Sequence, residues 1–281
     1  MTVRVSAEAK ASVTSLDLAL VLDTSVSMGT TKMAALKEAA NQLVEDLVDP
    51  AKDYVRISIV PYNGSVNAGA YGNVALGRAA GDDSDGDGLD DVCISERAGG
   101  EAFTDAKPAA GAYVEPKTIY ASSCYSAPIL PLTNNKSKLQ GLINGLTSGG
   151  YTGGHIALGW GWYTISPNWT DVWPASAKPM NYGNPDEIKA VVLMSDGSFN
   201  GTDANSLGDP DEQAKKMCLA MRAQGVIVFS IAFQITDADA LALMQDCASS
   251  SSYYYDAADK DELKAAFEAI SSKFQGVGLT G

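Results

Sequence analysis

Two apolar runs that each end on an aspartate constrain the fold of this chain most. The runs SLDLALVLD (residues 15–23) and IKAVVLMSDG (residues 188–197) are nearly continuous in apolar residues, which is typical of strands buried on both faces. Amphipathic helical patterns lie between and after them. Strands that alternate with helices form a mostly parallel sheet, and the carboxyl ends of its strands meet at one edge. We therefore expect a doubly wound α/β fold, with helices on both faces of the sheet, in which Asp23 and Asp196 lie close together.

The hydrophobic periodicity of the rest of the chain predicts the other strands and helices. Further strands are predicted at residues 54–62, 226–233 and 253–256, and helices at residues 31–48, 136–146, 156–165, 209–225, 237–248 and 259–274. We assign residues 16–62 and 132–275 to one domain. Residues 63–131 show no periodicity, and a structureless stretch of this length is unusual inside a compact domain. We therefore expect a long irregular insertion there.

The four tryptophans fall within one segment of the chain. Trp160 and Trp162 lie in a predicted helix, where burial in the core is expected. Trp169 and Trp173 follow in a segment rich in Pro and Asn. For these two side chains, burial and exposure for binding both stay open.

The charge and the missing catalytic motifs exclude several function classes. The chain has 20 Lys and Arg residues against 34 Asp and Glu residues, which gives a net charge of −14 at pH 7. A surface this acidic repels nucleic acid and anionic lipid. No run of residues reaches the roughly 20 apolar positions of a membrane span. With one histidine, no GxSxG sequence and no phosphate-binding loop, we expect that the protein is not an enzyme.

Four cysteines bear on the cellular compartment. Cys93 and Cys124 lie in one irregular region, and Cys218 and Cys247 lie in another part of the chain. None forms a CxxC pair, and a single histidine makes a zinc site a poor fit. The local pairs Cys93–Cys124 and Cys218–Cys247 suit two disulfides and an oxidising compartment, with four buried free thiols as the alternative.

Three segments place hydroxyl and carboxylate side chains near the predicted strand ends. They read DTSVS (23–27), GYTGG (150–154) and MSDGS (194–198). In this order they resemble the von Willebrand factor type A (VWA) domain with its metal-ion-dependent adhesion site, a family with a Rossmann-like fold. The resemblance covers nearly the whole chain outside the insertion. A haloacid-dehalogenase-type phosphatase would need a second aspartate where this chain has Ser25.

The resemblance implies a metal site that these segments build together. Ser25, Ser27 and Thr152 would bind the ion directly, whereas Asp23 and Asp196 would act mostly through water molecules. Hydroxyl and water oxygens suit Mg²⁺, with Mn²⁺ or Ca²⁺ as alternatives. Because few carboxylates would bind directly, the ion would keep positive charge and accept a carboxylate from a partner protein or surface. The resemblance thus implies a metal-dependent adhesion or ligand-binding domain.

A narrower resemblance points to one bacterial system. It is carried by ALGWGWYTISPNW (157–169), the Cys218 and Cys247 pair, YYYDA (253–257) and the ending ELKAAFEAI (262–270). These features resemble TadG-type proteins of the bacterial Tad (tight adherence) pilus system. That family implies that residues 1–15 are an extended segment after a missing hydrophobic N-terminal helix, and that residues 276–281 are a tail. It also implies a location in the periplasm or on the cell surface or pilus tip, with minor pilins as possible partners.

Two other functions stay open for the same fold. An envelope assembly or scaffold factor for pilus biogenesis would use the fold to dock neighbouring pilins, and the metal would only stabilise it. A metal-dependent hydrolase would use the same ion for turnover, although nothing in the sequence positions a substrate. Surface attachment or sensing is the function that we favour.

An acidic stretch in the insertion predicts a second metal site. DSDGDGLDDVC (83–93) resembles the calcium loops of thrombospondin type 3 repeats. The resemblance implies Ca²⁺ ligands from the carboxylates of Asp83, Asp85, Asp87 and Asp91 and from the carbonyl of Leu89. An EF-hand loop would need Glu where this chain has Ile94, so a structural calcium loop is favoured over a calcium switch. A solvated acidic run is the alternative.

Overall fold

The structure is a computed structural model that describes residues 15–79, 93–116, 126–200 and 207–275. The strands are β1 (Ser15–Asp23), β2 (Val55–Tyr62), β3 (Val66–Asn67), β4 (Cys93–Arg97), β5 (Val114–Pro116), β6 (Leu130–Thr133), β7 (Glu187–Ser195), β8 (Ile227–Phe233) and β9 (Tyr254–Ala257). The helices are α1 (Gly29–Leu47), α2 (Gly72–Ala75), α3 (Lys136–Gly145), α4 (Gly154–Ile165), α5 (Pro210–Ala223), α6 (Ala238–Cys247) and α7 (Lys260–Phe274). All predicted helices and strands are present, with ends shifted by two residues at most. Within the described ranges, no helix is both long and apolar enough to cross a bilayer.

The described strands form one sheet with helices on both faces. The strand order is β5-β4-β3-β2-β1-β7-β8-β9, and β6 pairs with β2. The five strands β2, β1, β7, β8 and β9 run parallel to one another. Helices α1, α3 and α7 pack on one face, and α4, α5 and α6 pack on the other. The predicted doubly wound, mostly parallel α/β fold is therefore confirmed.

β1 is a central strand of the sheet, and its side chains pack into the hydrophobic cores on both faces. Every second residue from Leu16 to Leu22 packs into the core with α1 and α7, whereas Ala19 and Val21 pack into the core with α4. On that second face α4 approaches the sheet closely at Gly161, where a Cβ atom would lie only 2.5 Å from Val21 Cγ2. The apolar run that predicted a buried strand thus packs against helices on both faces of the sheet.

The predicted irregular insertion is wrong for the described part of residues 63–131. Strands β3, β4 and β5 extend the sheet beyond β2 by antiparallel pairing. They contain two to five residues each, which is too few for an alternating pattern to be recognised. Contacts with α4 anchor them: His155 Nε2 lies 3.1 Å from Glu96 Oε1, and the Arg97 guanidinium lies 4.9 Å from the centre of the Tyr163 ring. The described part of the insertion is therefore packed onto the domain core.

Trp169 and Trp173 are buried, so they do not form an exposed binding surface. Trp169 stacks on Tyr163 with the ring centres 4.0 Å apart. Trp173 donates a hydrogen bond from Nε1 to the Tyr163 carbonyl at 2.9 Å. Their burial depends on the packing of the loop against α4, which the composition of the loop does not reveal.

One predicted disulfide joins two helices of the domain. Cys218 in α5 and Cys247 in α6 are bonded, with an S–S distance of 2.08 Å. Cys93 at the start of β4 is also disulfide-bonded. Its predicted partner Cys124 lies outside the described residues, as does the acidic calcium-type loop at residues 83–91. The pairing of Cys93 with Cys124 and the calcium loop therefore stay predictions.

Candidate metal centre

Asp23 and Asp196 lie together at the carboxyl edge of the sheet. Asp23 ends β1, and Asp196 directly follows β7, which runs parallel to β1 with Met194 opposite Leu22. Both aspartates are buried. The backbone N of Asp196 lies 3.4 Å from Oδ2 of Asp23. The expectation that the two strand ends bring these residues together is confirmed.

Asp23 is held by donors from both strand ends. Oδ1 accepts a hydrogen bond from the backbone N of Ser25 at 2.7 Å, and Oδ2 accepts one from the Ser195 hydroxyl at 2.8 Å. Burial, followed by the negative charge of Asp196, raises the pKa of Asp23 from 3.8 to about 6. A cation bound beside this pair would favour the charged form of both carboxylates. The two aspartates therefore form a buried acidic pair that a cation would stabilise.

Ser25, Ser27 and Asp196 form a row of neighbouring oxygen atoms. The hydroxyl oxygens of Ser25 and Ser27 lie 2.9 Å apart, and the Ser27 hydroxyl donates to Oδ1 of Asp196 at 2.6 Å. The second oxygen of Asp196 accepts a hydrogen bond from Lys32 Nζ at 2.7 Å. The carboxylate of Asp196 thus contacts a hydroxyl on one side and a positively charged group on the other.

The loop that contains Thr152 lies against the loop between β1 and α1. Val26 donates a hydrogen bond from its backbone N to the carbonyl of Gly150 at 3.1 Å. The backbone N of Thr152 donates to Oδ1 of Asn200 at 3.0 Å, and the backbone N of Asn200 donates back to the Thr152 carbonyl at 2.7 Å. These bonds fix buried Thr152 beside the site. Direct binding of an ion by its hydroxyl stays a prediction.

Comparison with solved structures shows which fold this is. The vWF domain of the type V pili tip protein Mfa5 from Porphyromonas gingivalis matches 96% of this chain and 97% of its own, with a TM-score of 0.58 and 12% sequence identity. The chain has the von Willebrand factor A fold. This chain is also similar to the pilus adhesin SpaC from Lactobacillus rhamnosus GG, with a TM-score of 0.55 and 15% identity over 93% of this chain and 31% of SpaC.

A third solved structure is also similar to this chain. A von Willebrand factor type A protein from Catenulispora acidiphila matches 94% of this chain with a TM-score of 0.50 and 13% identity. This chain spans 43% of that protein. No protein-family model matches the sequence, and the curated proteins give no match. At these identities the similarity shows the fold of this chain alone.

The sequence analysis missed three side chains of the candidate site: Lys32, Ser195 and Asn200. Lys32 lies in the first turns of α1 and reaches Asp196 from 164 positions away in sequence. Asn200 is hydrogen-bonded to the loop that contains Thr152, and the spacing of these residues in the sequence does not predict this contact. Only Ser195 carries a sequence signal, because it ends an apolar strand and directly precedes Asp196.

The oxygen spacing of the site fits a small octahedral cation. With metal–oxygen distances of about 2.0–2.1 Å, neighbouring ligands in an octahedron lie about 2.9 Å apart. The hydroxyl oxygens of Ser25 and Ser27 have this separation, 2.9 Å. The same separation is an ordinary hydrogen-bond length between two hydroxyls. Both hydroxyls could therefore bind one small cation without a large movement.

The composition of the site limits which atoms could bind a cation. Across the described residues, no group of three or more His, Cys, Asp or Glu side chains could hold a metal ion. A metal site in this part of the chain must therefore include hydroxyl, carbonyl or water oxygens. Such hard, uncharged oxygen donors suit Mg²⁺, which keeps several water ligands in most protein sites.

Proposed function

We propose that this A domain is a cation-dependent binding module that attaches to a carboxylate of a partner protein or surface. Ser25, Ser27 and Thr152 would hold Mg²⁺ or Mn²⁺, and Asp23 and Asp196 would support it through water molecules. When bound, the ion supplies a positive centre that can accept a carboxylate oxygen. The proposal rests on one observation, the row of oxygens from Ser25 through Ser27 to Asp196 with separations of 2.9 and 2.6 Å.

The chain's own residues hold this row in position. Asp23 fixes the start of the serine loop through the backbone N of Ser25. Asp196 fixes the Ser27 hydroxyl, and Lys32 holds the second oxygen of Asp196. A site whose ligands are already oriented by such hydrogen bonds loses less conformational entropy when an ion or a partner binds.

The charge of the site favours an acidic group of the partner. The chain as a whole carries −14, so an acidic partner is repelled by most of its surface. At the site, the Lys32 ammonium offsets the charge of Asp196. Because the hydroxyl ligands are neutral, a divalent cation there would leave net positive charge facing the solvent. A single carboxylate would therefore be attracted at this point of the surface.

We further propose that the binding serves surface attachment or sensing by a bacterial cell. Mfa5 is a pili tip protein and SpaC is a pilus adhesin, and each contains a region similar in fold to this chain. The bond between Cys218 and Cys247 suits an oxidising compartment such as the periplasm or cell surface. Sequence resemblance alone supports a TadG-type role in a Tad pilus, an N-terminal hydrophobic anchor, minor pilins as partners and Ca²⁺ in the loop at residues 83–91.

A surface-binding measurement tests the proposed function. The A domain is passed over a monolayer that carries sparse carboxylate groups, in Mg²⁺ or in EDTA, and binding is followed by surface plasmon resonance. A monolayer with amide groups of the same size is the control. We expect retention on the carboxylate monolayer in Mg²⁺ only. Equal retention in EDTA, or equal retention on the amide monolayer, would contradict carboxylate binding through a cation.

A further inference from the structure

Arg97 in β4 is a buried cation that has no carboxylate partner in the described part of the chain. Its side chain is only 3% exposed, and a guanidinium keeps its proton in proteins. Nη1 donates a weak hydrogen bond to the Thr104 carbonyl at 3.3 Å, whereas Nε and Nη2 find no acceptor among the described residues. None of the ion pairs in the described ranges includes Arg97. Burial of a charge without a counterion is strongly unfavourable.

The buried carboxylates of the same region are held by other donors. Glu96 Oε2 accepts a hydrogen bond from the Ser95 hydroxyl, and Glu96 Oε1 lies 3.1 Å from His155 Nε2. Asp105 Oδ2 accepts hydrogen bonds from the side chains of Ser166, Asn168 and Tyr182. The rings of Tyr163 and Trp169, whose centres lie 4.9 and 5.1 Å from the guanidinium, offset its charge only in part.

A cavity of about 20 Å³ lies beside this guanidinium. Its lining includes Glu96, Arg97, His155 and Trp160. Trp160 is 1% exposed, and its Nε1 is a further buried donor that has no acceptor among the described residues. A cavity of this size holds one group as large as a water molecule. Two side chains with unpartnered N–H donors therefore border a space for a single small acceptor.

The charge of Arg97 decides between a water molecule and an anion as that acceptor. A water molecule would accept the hydrogen bonds but would leave the buried charge without a counterion. An anion would do both, and hydrogen bonds between ionised groups are the stronger ones. The size of the cavity excludes phosphate and sulfate and favours a monatomic anion. The acidic surface of the chain weakens the attraction only partly, because salt screens exposed charges.

We propose that this cavity binds one chloride ion, which joins β4 of the insertion to α4. Arg97 would donate to the ion from Nε and Nη2, and Trp160 would donate from Nε1. The ion would thus act as the counterion of Arg97 and strengthen the packing of the insertion on the domain core. The site shares no residue with the candidate metal centre, so the inference stands or falls independently of the proposed function.

His155 couples this site to pH. Its Nδ1 also lacks a hydrogen-bond partner among the described residues. In the neutral ring with Nε2–H directed at Glu96, Nδ1 presents a lone pair, whereas the imidazolium donates from both nitrogens. The charged groups that face His155 are Glu96 and Arg97 from β4 and Asp211 from α5. Chloride binding and protonation of His155 therefore favour each other, so chloride should bind more tightly at acidic than at alkaline pH. Tighter binding at alkaline pH would contradict the site.

Thermal unfolding in chloride and in gluconate tests the inference. Gluconate is too large for the cavity, the ionic strength is kept constant, and EDTA removes divalent cations. We expect the Tm of the wild type to rise as chloride replaces gluconate, because a ligand that binds only the folded state stabilises it. The dependence of Tm on chloride concentration gives the affinity. The same Tm in both salts would overturn the inference.

Two tryptophan variants form a matched pair for this measurement. Trp160→Phe removes the Nε1 donor and should weaken chloride binding at least about tenfold, because hydrogen bonds to charged groups are strong. Trp169 is also buried with an unpartnered Nε1, but it does not line the cavity, so Trp169→Phe should keep the wild-type chloride affinity. Arg97→Met should abolish the chloride effect. Equal loss of affinity in the two tryptophan variants would contradict the assigned donors.

A crystal grown in sodium bromide locates the ion. At the bromine absorption edge we expect an anomalous peak in hydrogen-bonding contact with Arg97 and with Trp160 Nε1. Chloride in excess should remove this peak. A water molecule in the cavity at saturating bromide, or bromide peaks only at the protein surface, would overturn the inference.

Discussion

Replacing Ser27 by alanine is expected to weaken Mg²⁺ binding at least about 10- to 100-fold, because loss of a direct ligand should cost no less than loss of an outer hydrogen-bond partner. The change removes the oxygen that lies 2.9 Å from the Ser25 hydroxyl and 2.6 Å from Asp196 Oδ1. Ser27 is exposed, so its truncation should leave the fold intact. Titration calorimetry gives the affinity, and a thermal melt in EDTA checks the fold.

Ser252→Ala is the matched control for this substitution. Ser250 and Ser252 have the same spacing in sequence, and their hydroxyl oxygens also lie 2.9 Å apart. They lie between α6 and β9, away from the acidic pair of the metal site. This variant should bind Mg²⁺ with wild-type affinity. Equal affinity of the wild type and the Ser27→Ala variant would refute the ligand role of Ser27.

Replacing Asp17 by alanine is expected to lower the free energy of unfolding by about 3–5 kcal/mol, because it breaks a buried ion pair. Asp17 is fully buried in β1, and its two sheet neighbours are Arg56 and Lys189. It accepts hydrogen bonds from Arg56 Nη2 at 2.7 Å and from Lys189 Nζ at 3.3 Å. Without it, the buried ammonium of Lys189 loses its hydrogen-bonded carboxylate and keeps the Ile165 carbonyl as an acceptor. Denaturant unfolding at neutral pH measures the loss.

The pH dependence gives this prediction a second check. Burial already lowers the pKa of Lys189, and loss of Asp17 removes a charge that raises it. A lysine with a depressed folded pKa destabilises the folded state most at low pH and less as the pH rises towards its unfolded pKa. The deficit of the variant should therefore be smaller at alkaline pH than at neutral pH.

An exposed aspartate serves as the control for the buried one. Asp49→Ala removes an exposed ion pair with Lys52, whose Nζ lies 3.7 Å from Asp49 Oδ2. Such pairs contribute less than about 1 kcal/mol. If Asp17→Ala costs no more than Asp49→Ala, the buried pair does not stabilise the sheet as described.

The strand ends of this site could be predicted because they follow from local pattern. An apolar run that ends on Asp23 or Asp196 marks a parallel strand, and parallel strands bring their carboxyl ends together. Lys32 could not be predicted in this way, because a lysine near a helix start is ordinary and its contact with Asp196 depends on how α1 leaves the sheet. The exposure of Val26 likewise depends on the loop geometry.

Sequence analysis missed β4, because side-chain contacts hold this strand in place and such contacts leave no periodic pattern in the sequence. β4 is short, and its place is fixed by contacts of Glu96 with His155 and of Arg97 with Tyr163 and Trp169. Sequence periodicity does not predict such contacts, because each joins residues more than 50 positions apart. For this reason it did not predict the burial of Trp169 either.

A crystal of this protein grown with Mn²⁺ and measured at the manganese absorption edge would test the central claim, a metal centre at the carboxyl edge of the sheet, most directly. We predict an anomalous peak about 2.1–2.2 Å from the hydroxyl oxygens of both Ser25 and Ser27, near the distance expected for a small octahedral cation. Excess Mg²⁺ should remove it. Absence of the peak at saturating Mn²⁺, with the two serines ordered, would contradict the existence of a metal centre at this edge of the sheet.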